Sequence, residues 1–326
     1  MKILTSIRTD LAMEARELYG EQSNDMEGIE SENHESDGIE ITRVKITSPV
    51  GEAKIGKPMG TYITIEAEDI KNGDVEFTEL VSQKLGQEIK SLVDLGKDSN
   101  VLVVGLGNWN ITPDSLGPKV VNRTMITRHI IELIPDQVDE RVRSVCAIAP
   151  GVLGITGIET GEVVKGLVDR IKPDLVIVVD ALASRKTQRI GTTIQIADTG
   201  ISPGSGIGNK RMGINEENLG IKTIAIGVPT VVFAHTIGRD SLELLIEEFA
   251  NQTAPGTAFY KIIREMPENQ LDAMVNQVLS QGLGDLVVTP KEVDMLIDDI
   301  SQIISDGLNL ALHEDITLEE SRRFLQ

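Results

Sequence analysis

The chain has 326 residues, with 31 basic and 51 acidic side chains and a formal charge of −20 at pH 7; such a surface repels phosphate backbones and argues against direct nucleic-acid binding. Hydrophobic residues make up 40% and aromatic residues 3%, so the core must be built from Ile, Val and Leu, which suits a buried parallel sheet. The single cysteine, Cys146, permits no internal disulfide and fits a reducing cytoplasm, and no apolar run approaches the roughly 20 residues of a membrane helix.

At the N-terminus, MKILTSIRTDLAMEAREL has no signal-peptide core, because Arg8 and Asp10 interrupt it. Residues 1–38, polar and acidic above all over 20–38, read as a mobile N-terminal segment with a short helix near 11–18. Residues 39–48, IEITRVKITS, alternate and predict a strand, as do 61–67. Phe77, Leu80, Val81, Leu85, Ile89 and Leu92 form one stripe of a helix over 75–95.

From residue 100 strands and helices alternate. Strands are expected at 101–105, 142–149, 175–179, 192–196 and 222–228. Helices are expected at 116–133, 161–171 and 236–249, the first with Pro118 in its opening turn. Residues 257–326 read as a helical, acidic region. The alternation predicts an α/β fold, a mostly parallel sheet with helices on both faces. Residues 39–67 add extra strands at the N-terminal side.

Two apolar runs empty into turns that carry one acid each. VLVVGLGNWNITPDSLGP (101–118) brings Asp114, and VIVVDALASR (176–185) brings Asp180. Ligands collect at the carboxyl ends of parallel strands, so two acids delivered there are a candidate acid/base pair. An Asp after a strand is more often a cap or turn residue. Cys146, within VCAIAP, reads as a buried core thiol rather than a nucleophile.

Common motifs are broken or missing. Gly105, Gly107 and Asn108 open like a dinucleotide fingerprint, but Asn110 stands where the third glycine belongs. There is no Walker A loop and no HExxH. Asp114, Asp180 and His235 could converge on a metal, although a lone histidine after a strand is more often structural. The loop 198–213, DTGISPGSGIGNKRMG, is rich in glycine and ends in Lys210 and Arg211, which could attract an acidic ligand.

Taken together, NWNITPDSLGP, APGVLGITGIETGEVV, VIVVDALASR and TIQIADTGISPGSGIGNKR resemble the germination proteases of spore-forming Firmicutes, from RTDLAMEA at the N-terminus onward. The resemblance implies a tetrameric endopeptidase, made as a zymogen, that degrades small acid-soluble spore proteins in the forespore or spore core. It implies a fold like that of the hydrogenase-maturation proteases and no cofactor. It places the catalytic acids at Asp114 and Asp180. The family's substrates are cut after glutamate in a pattern resembling Thr-Glu-(Phe or Ile)-Ala-Ser-Glu. Thr9-Asp10-Leu11-Ala12-Met13-Glu14 follows that pattern. Cleavage is therefore expected between Asp10 and Leu11, with 1–10 as propeptide and 11–326 as one endopeptidase domain. One departure stands out: the family's PTVVDA reads PTVVFAH here, with Phe233 in place of an acid.

Two carboxylates that share one proton can hydrolyse a peptide, one taking a proton from water and the other protonating the leaving nitrogen. Asn108, or backbone N–H groups where the helix begins near Leu116, are candidate oxyanion donors. Lys210, Arg211 and Arg185 are candidate contacts for acidic substrate residues. Two other readings stand beside this one: a metal-dependent maturation-type endopeptidase, and a non-catalytic α/β module that holds an anion in the glycine loop.

Overall fold

The computed structural model describes residues 9–17, 27–202, 212–252 and 286–324, with single helical positions at 273 and 277. In chain order the strands are β1 (Ile29–Ser36), β2 (Ile39–Ile46), β3 (Gly60–Glu66), β4 (Asn100–Gly105), β5 (Ser144–Ile148), β6 (Leu175–Ser184), β7 (Thr193–Ala197), β8 (Thr223–Phe233) and β9 (Val287–Val288). The helices are α1 (Ala12–Glu17), α2 (Pro49–Ile55), α3 (Val75–Leu92), α4 (Leu116–Arg123), α5 (Arg128–Leu133), α6 (Leu153–Thr156), α7 (Thr160–Ile171), α8 (Glu216–Leu219), α9 (Ala234–Gln252), α10 (Val293–Leu312) and α11 (Leu318–Phe324).

Among the described residues one sheet forms, in the order β1-β2-β3-β7-β8-β6-β4-β5, with β9 beside β8. The block β5-β4-β6-β8 is parallel. β7, β3, β2 and β1 extend it antiparallel, so the sheet is mixed. The α/β class and the helices on both faces are as expected; the parallel block is flanked by antiparallel strands, so that among the described residues five of eight strand pairings are antiparallel rather than most being parallel.

Strand alternation sends successive side chains to opposite faces. On one face Ile177, Val179, Ile194, Ile196, Ile224 and Ile226 pack with Val81, Leu85 and Ile89 of α3, Leu116 and Val120 of α4, and Ile300 and Ile304 of α10. On the other face the cover is split in two. Val176 and Val178 pack under Val164, Val168 and Leu219 from α7 and α8. Val44, Ile46, Tyr62 and Ala197 pack under Ala12 and Ala15 of α1. A transverse row of the ladder lies between those two covers: Thr64, Gln195, Gly227 and Asp180 stand side by side on β3, β7, β8 and β6.

Three readings of individual segments need correction. The segment 1–38, expected to be mobile, holds Leu11, Ala12, Met13 and Ala15 buried against the sheet and contains β1, which pairs along its whole length with β2; residues 1–8 and 18–26 lie outside the described residues. The single helix expected over 116–133 is two. Thr127 breaks it, because its N–H donates to Val145 O (2.9 Å), its Oγ1 to Arg143 O (2.5 Å), and the same Oγ1 accepts from Val145 N–H (2.9 Å). Bonds to β5 replace the helical ones there, so tertiary contacts outweigh helical periodicity. The strand expected at 175–179 runs on to Ser184, which places Asp180 within β6 rather than in a turn. In the C-terminal region, the described part holds α10 and α11, as expected, and the short strand β9.

Candidate active site

β4 ends at Gly105, where the backbone of Gly105 and Leu106 lies directly against Gly117 in the first turn of α4. A methyl group on either glycine would overlap the opposing backbone. The Leu106 N–H crosses to Val179 O at 2.8 Å. Gly107 then turns with φ +111°, a conformation that side chains resist. The loop closes on itself: Asn108 N–H donates to Asp114 O (2.9 Å) and Asp114 N–H to Ile111 O (2.8 Å). Asn108 Oδ1 accepts from Asn110 N–H at 3.0 Å. Thus the glycines that imitate a nucleotide fingerprint serve backbone packing, and they fix the half-buried Asp114 over the end of β6.

Asp180 follows the last residue of β6 that pairs with β4, since Gly105 pairs with Val179. Beyond that point β6 keeps only β8 as a neighbour, with a bulge after Leu182. Burial, and then the charge of Asp114, push the Asp180 carboxyl up to about 8; the Ala181 N–H, which donates to Asp180 Oδ1 at 2.9 Å, opposes them, and Asp10 adds a smaller upward push. At neutral pH Asp180 therefore carries a proton. Hence the two acids sit close enough to influence one another, and burial makes one of them a proton donor.

The N-terminal segment lies across this gap. Asp10 N–H donates to Ala183 O (3.0 Å), and Asp10 Oδ2 accepts from Ala183 N–H (2.9 Å). The Asp10 carbonyl accepts from Lys57 Nζ (3.0 Å) and Gln195 Nε2 (3.3 Å). Leu11 and Ala12 are fully buried, and Ala12 N–H donates to Gln195 Oε1 at 2.7 Å. Glu14, also buried, accepts from the N–H groups of Arg185 (2.7 Å) and Lys186 (3.1 Å), from Arg189 (3.0 Å) and from the Thr9 hydroxyl. Arg189 in turn holds Glu17 and Glu66, at 2.7 Å each.

Of the residues singled out in the sequence, Asp114, Asp180, Asn108, Asp10 and Leu11 thus meet around one end of β6. Arg185 is near, but its guanidinium forks onto Asp240 of α9 at 2.8 and 3.0 Å. Lys210 and Arg211 lie outside the described residues. Phe233 ends β8 and is buried, and His235 lies in the first turn of α9. Cys146, expected in the core, is half-buried instead, on β5 at the edge of the sheet; its thiol donates to Val101 O at 3.5 Å, and what burial it has pushes the thiol up. Among the described residues no three His, Cys, Asp or Glu side chains are grouped to hold a metal, and no helix is long and apolar enough to cross a membrane.

Lys57, Gln195 and Arg189 were not singled out in the sequence; Glu14 was marked only as the second acid of the cleavage pattern. Gln195 had a signal: in TIQIA it is the polar residue in the middle of a buried strand, on the same face as Ala197. Lys57 follows α2 in a loop and carries no such mark.

Germination protease, peptidase family A25, is the family that matches, over residues 7–259 and 251–325. A germination protease of Caldanaerobacter subterraneus is 52% identical over 325 residues, 100% of both chains. That of Clostridium perfringens is 49% identical over 323 residues, 98% of this chain and 99% of the relative. That of Bacillus subtilis is 40% identical over 350 aligned positions, 96% and 95% of the two. Among solved structures, a NiFe hydrogenase maturation protease of Thermococcus kodakarensis is similar at 23% identity and a TM-score of 0.26, over 40% of this chain and 74% of that one. With relatives this similar over the whole length, the chain belongs to the germination protease family and is an endopeptidase.

Proposed function

We propose that the chain degrades small acid-soluble spore proteins during germination by carboxylate acid/base hydrolysis, after releasing its own residues 1–10. The observation that carries the mechanism is the pairing of Asp114 with an Asp180 that burial and Asp114 hold protonated. Water between the acids gives a proton to Asp114 as its oxygen bonds to the scissile carbonyl carbon. Asp180 then gives its proton to the nitrogen as the C–N bond breaks. The pair ends with one proton, as it began, moved from Asp180 to Asp114.

Self-processing between Asp10 and Leu11 is supported by the position of that bond over β6. Asp10 is held on Ala183 and Leu11 is buried. Family resemblance supports a homotetramer in the spore core. Lys210 and Arg211 are proposed as further contacts for acidic substrate residues. Incubation with small acid-soluble spore protein, read by mass spectrometry, tests the reading. Fragments that end in glutamate, formed equally well after strong chelators, are expected. Loss of cleavage with chelator would favour metal-dependent chemistry, and absence of cleavage would favour anion binding alone.

A further inference from the structure

From the contacts of the Asp10 carbonyl, we infer that Lys57 and Gln195 are the carbonyl-binding donors of the peptidase: they hold the Asp10 oxygen in the intact chain and receive the scissile carbonyl of a substrate once residues 1–10 have gone. The inference rests on the reading that Asp10–Leu11 is the bond that is cut.

Lys57 Nζ and Gln195 Nε2 converge on one oxygen, at 3.0 and 3.3 Å. An ammonium and an amide aimed at one carbonyl are the donors needed where negative charge develops on that oxygen. The amide is fixed in place. Gln195 projects from a buried strand position, and its Oε1 is tied by Ala12 N–H at 2.7 Å, which orients its amide nitrogen. In the ladder it shares a row with Asp180, with only Gly227 between them, so donor and acid face the same gap from two strands. Burial pulls the Lys57 pKa down, and the Asp10 charge partly restores it; a lysine so desolvated stabilises a nearby oxyanion more strongly than one in water.

The peptide on either side of the carbonyl is pinned independently. Asp10 is bound at both its N–H and its carboxylate by Ala183, and Glu14 is bound by two backbone N–H groups and Arg189. The Leu11 N–H turns to Thr9 Oγ1 at 3.2 Å. An acid at position 10, a buried apolar residue at 11 and an acid at 14 are therefore each held by separate groups, as a bound substrate would be. When water attacks, the carbonyl π pair moves onto the oxygen held by Lys57 and Gln195. When the C–N bond breaks, the pair returns to reform C=O, leaving an Asp10 carboxyl and a Leu11 amine.

The test uses full-length chain with Lys57→Met, Lys57→Arg, Gln195→Leu and Gln195→Glu. The self-processing rate and the new N-terminus are read by mass spectrometry. After prolonged incubation, kcat and KM are measured on a glutamyl peptide. Lys57→Met and Gln195→Leu are expected to slow processing about 100-fold, the loss typical of one oxyanion donor. They are expected to lower kcat with little change in KM, while Lys57→Arg recovers part of the rate. Gln195→Glu, which replaces a donor with an acceptor, should be slower than Gln195→Leu. Cleavage at Asp10–Leu11 at near wild-type rate in both Met and Leu variants would overturn the donor assignment and leave the cleavage site standing. So would a loss confined to KM. A wild-type chain that is cut elsewhere would overturn both.

Discussion

The Asp114 charge acts through space on Asp180, which sits at the point where β6 loses β4 as its neighbour. Burial and that charge together push Asp180 up to about 8. An unfolded aspartate titrates near 3.9. The fold therefore retains a proton between about pH 4 and pH 8 that the unfolded chain has released, and stability falls as pH rises through that window. The site keeps its proton donor at a cost in stability, as functional sites commonly do.

The rate should follow the same group. Hydrolysis needs Asp180 protonated, so kcat is expected to decline about tenfold per pH unit above about 8. A pH–rate profile between 6 and 10 on a glutamyl peptide checks it. A rate that is flat to pH 10 would show that Asp180 does not donate the proton.

Asp180→Asn removes both the activity and the late titration. Cleavage should be nearly abolished, as it should for Asp114→Asn. Urea unfolding at pH 5, 7 and 9 should show the stability difference between Asp180→Asn and wild type moving in the variant's favour as pH rises. A difference that stays constant across that range would mean that Asp180 titrates normally in the fold.

The fold was legible wherever side-chain pattern and burial agree. The strands at 101–105 and 222–228 are apolar because both of their faces are covered, and they were found. β1, IESENHES, was not, because at the edge of the sheet only Ile29 is buried and backbone bonds to β2 hold the rest. The break at Thr127 depends on contacts with β5 that periodicity cannot register. In the site, Asp114 and Asp180 were marked by apolar strands running into acids. Lys57 was invisible, because its role depends on a carbonyl 47 positions away in sequence.

Gly117 should be intolerant of even a small side chain. Its Cα faces the backbone of Gly105 and Leu106, and a methyl group there forces α4 off β4. Gly117→Ala is expected to destabilise the fold by about 1–3 kcal/mol and, by shifting the loop that carries Asp114, to lower kcat at temperatures where the variant stays folded. Thermal unfolding and peptide cleavage measured together check it. Full activity with unchanged stability would mean that the contact relaxes without strain.

A last expectation concerns acid stability far from the site. His313 is buried at the end of α10, and its Nδ1 accepts the Arg143 N–H at 3.1 Å. Burial, and then the Arg143 charge, push it down to about 4. The unfolded chain gains a proton on this histidine near 6.5, whereas the fold does so only near 4. This site therefore withdraws stability as pH falls from about 6.5 to about 4, and below that it adds no further slope. In His313→Asn, Oδ1 can replace Nδ1 as acceptor, but nothing titrates. The variant should be less stable than wild type at pH 7, from lost packing, and the gap should narrow as pH falls to 4.5. Urea unfolding of both proteins from pH 7.5 to 4.5 measures it. Parallel stability curves would show that His313 is protonated as readily in the fold as outside it.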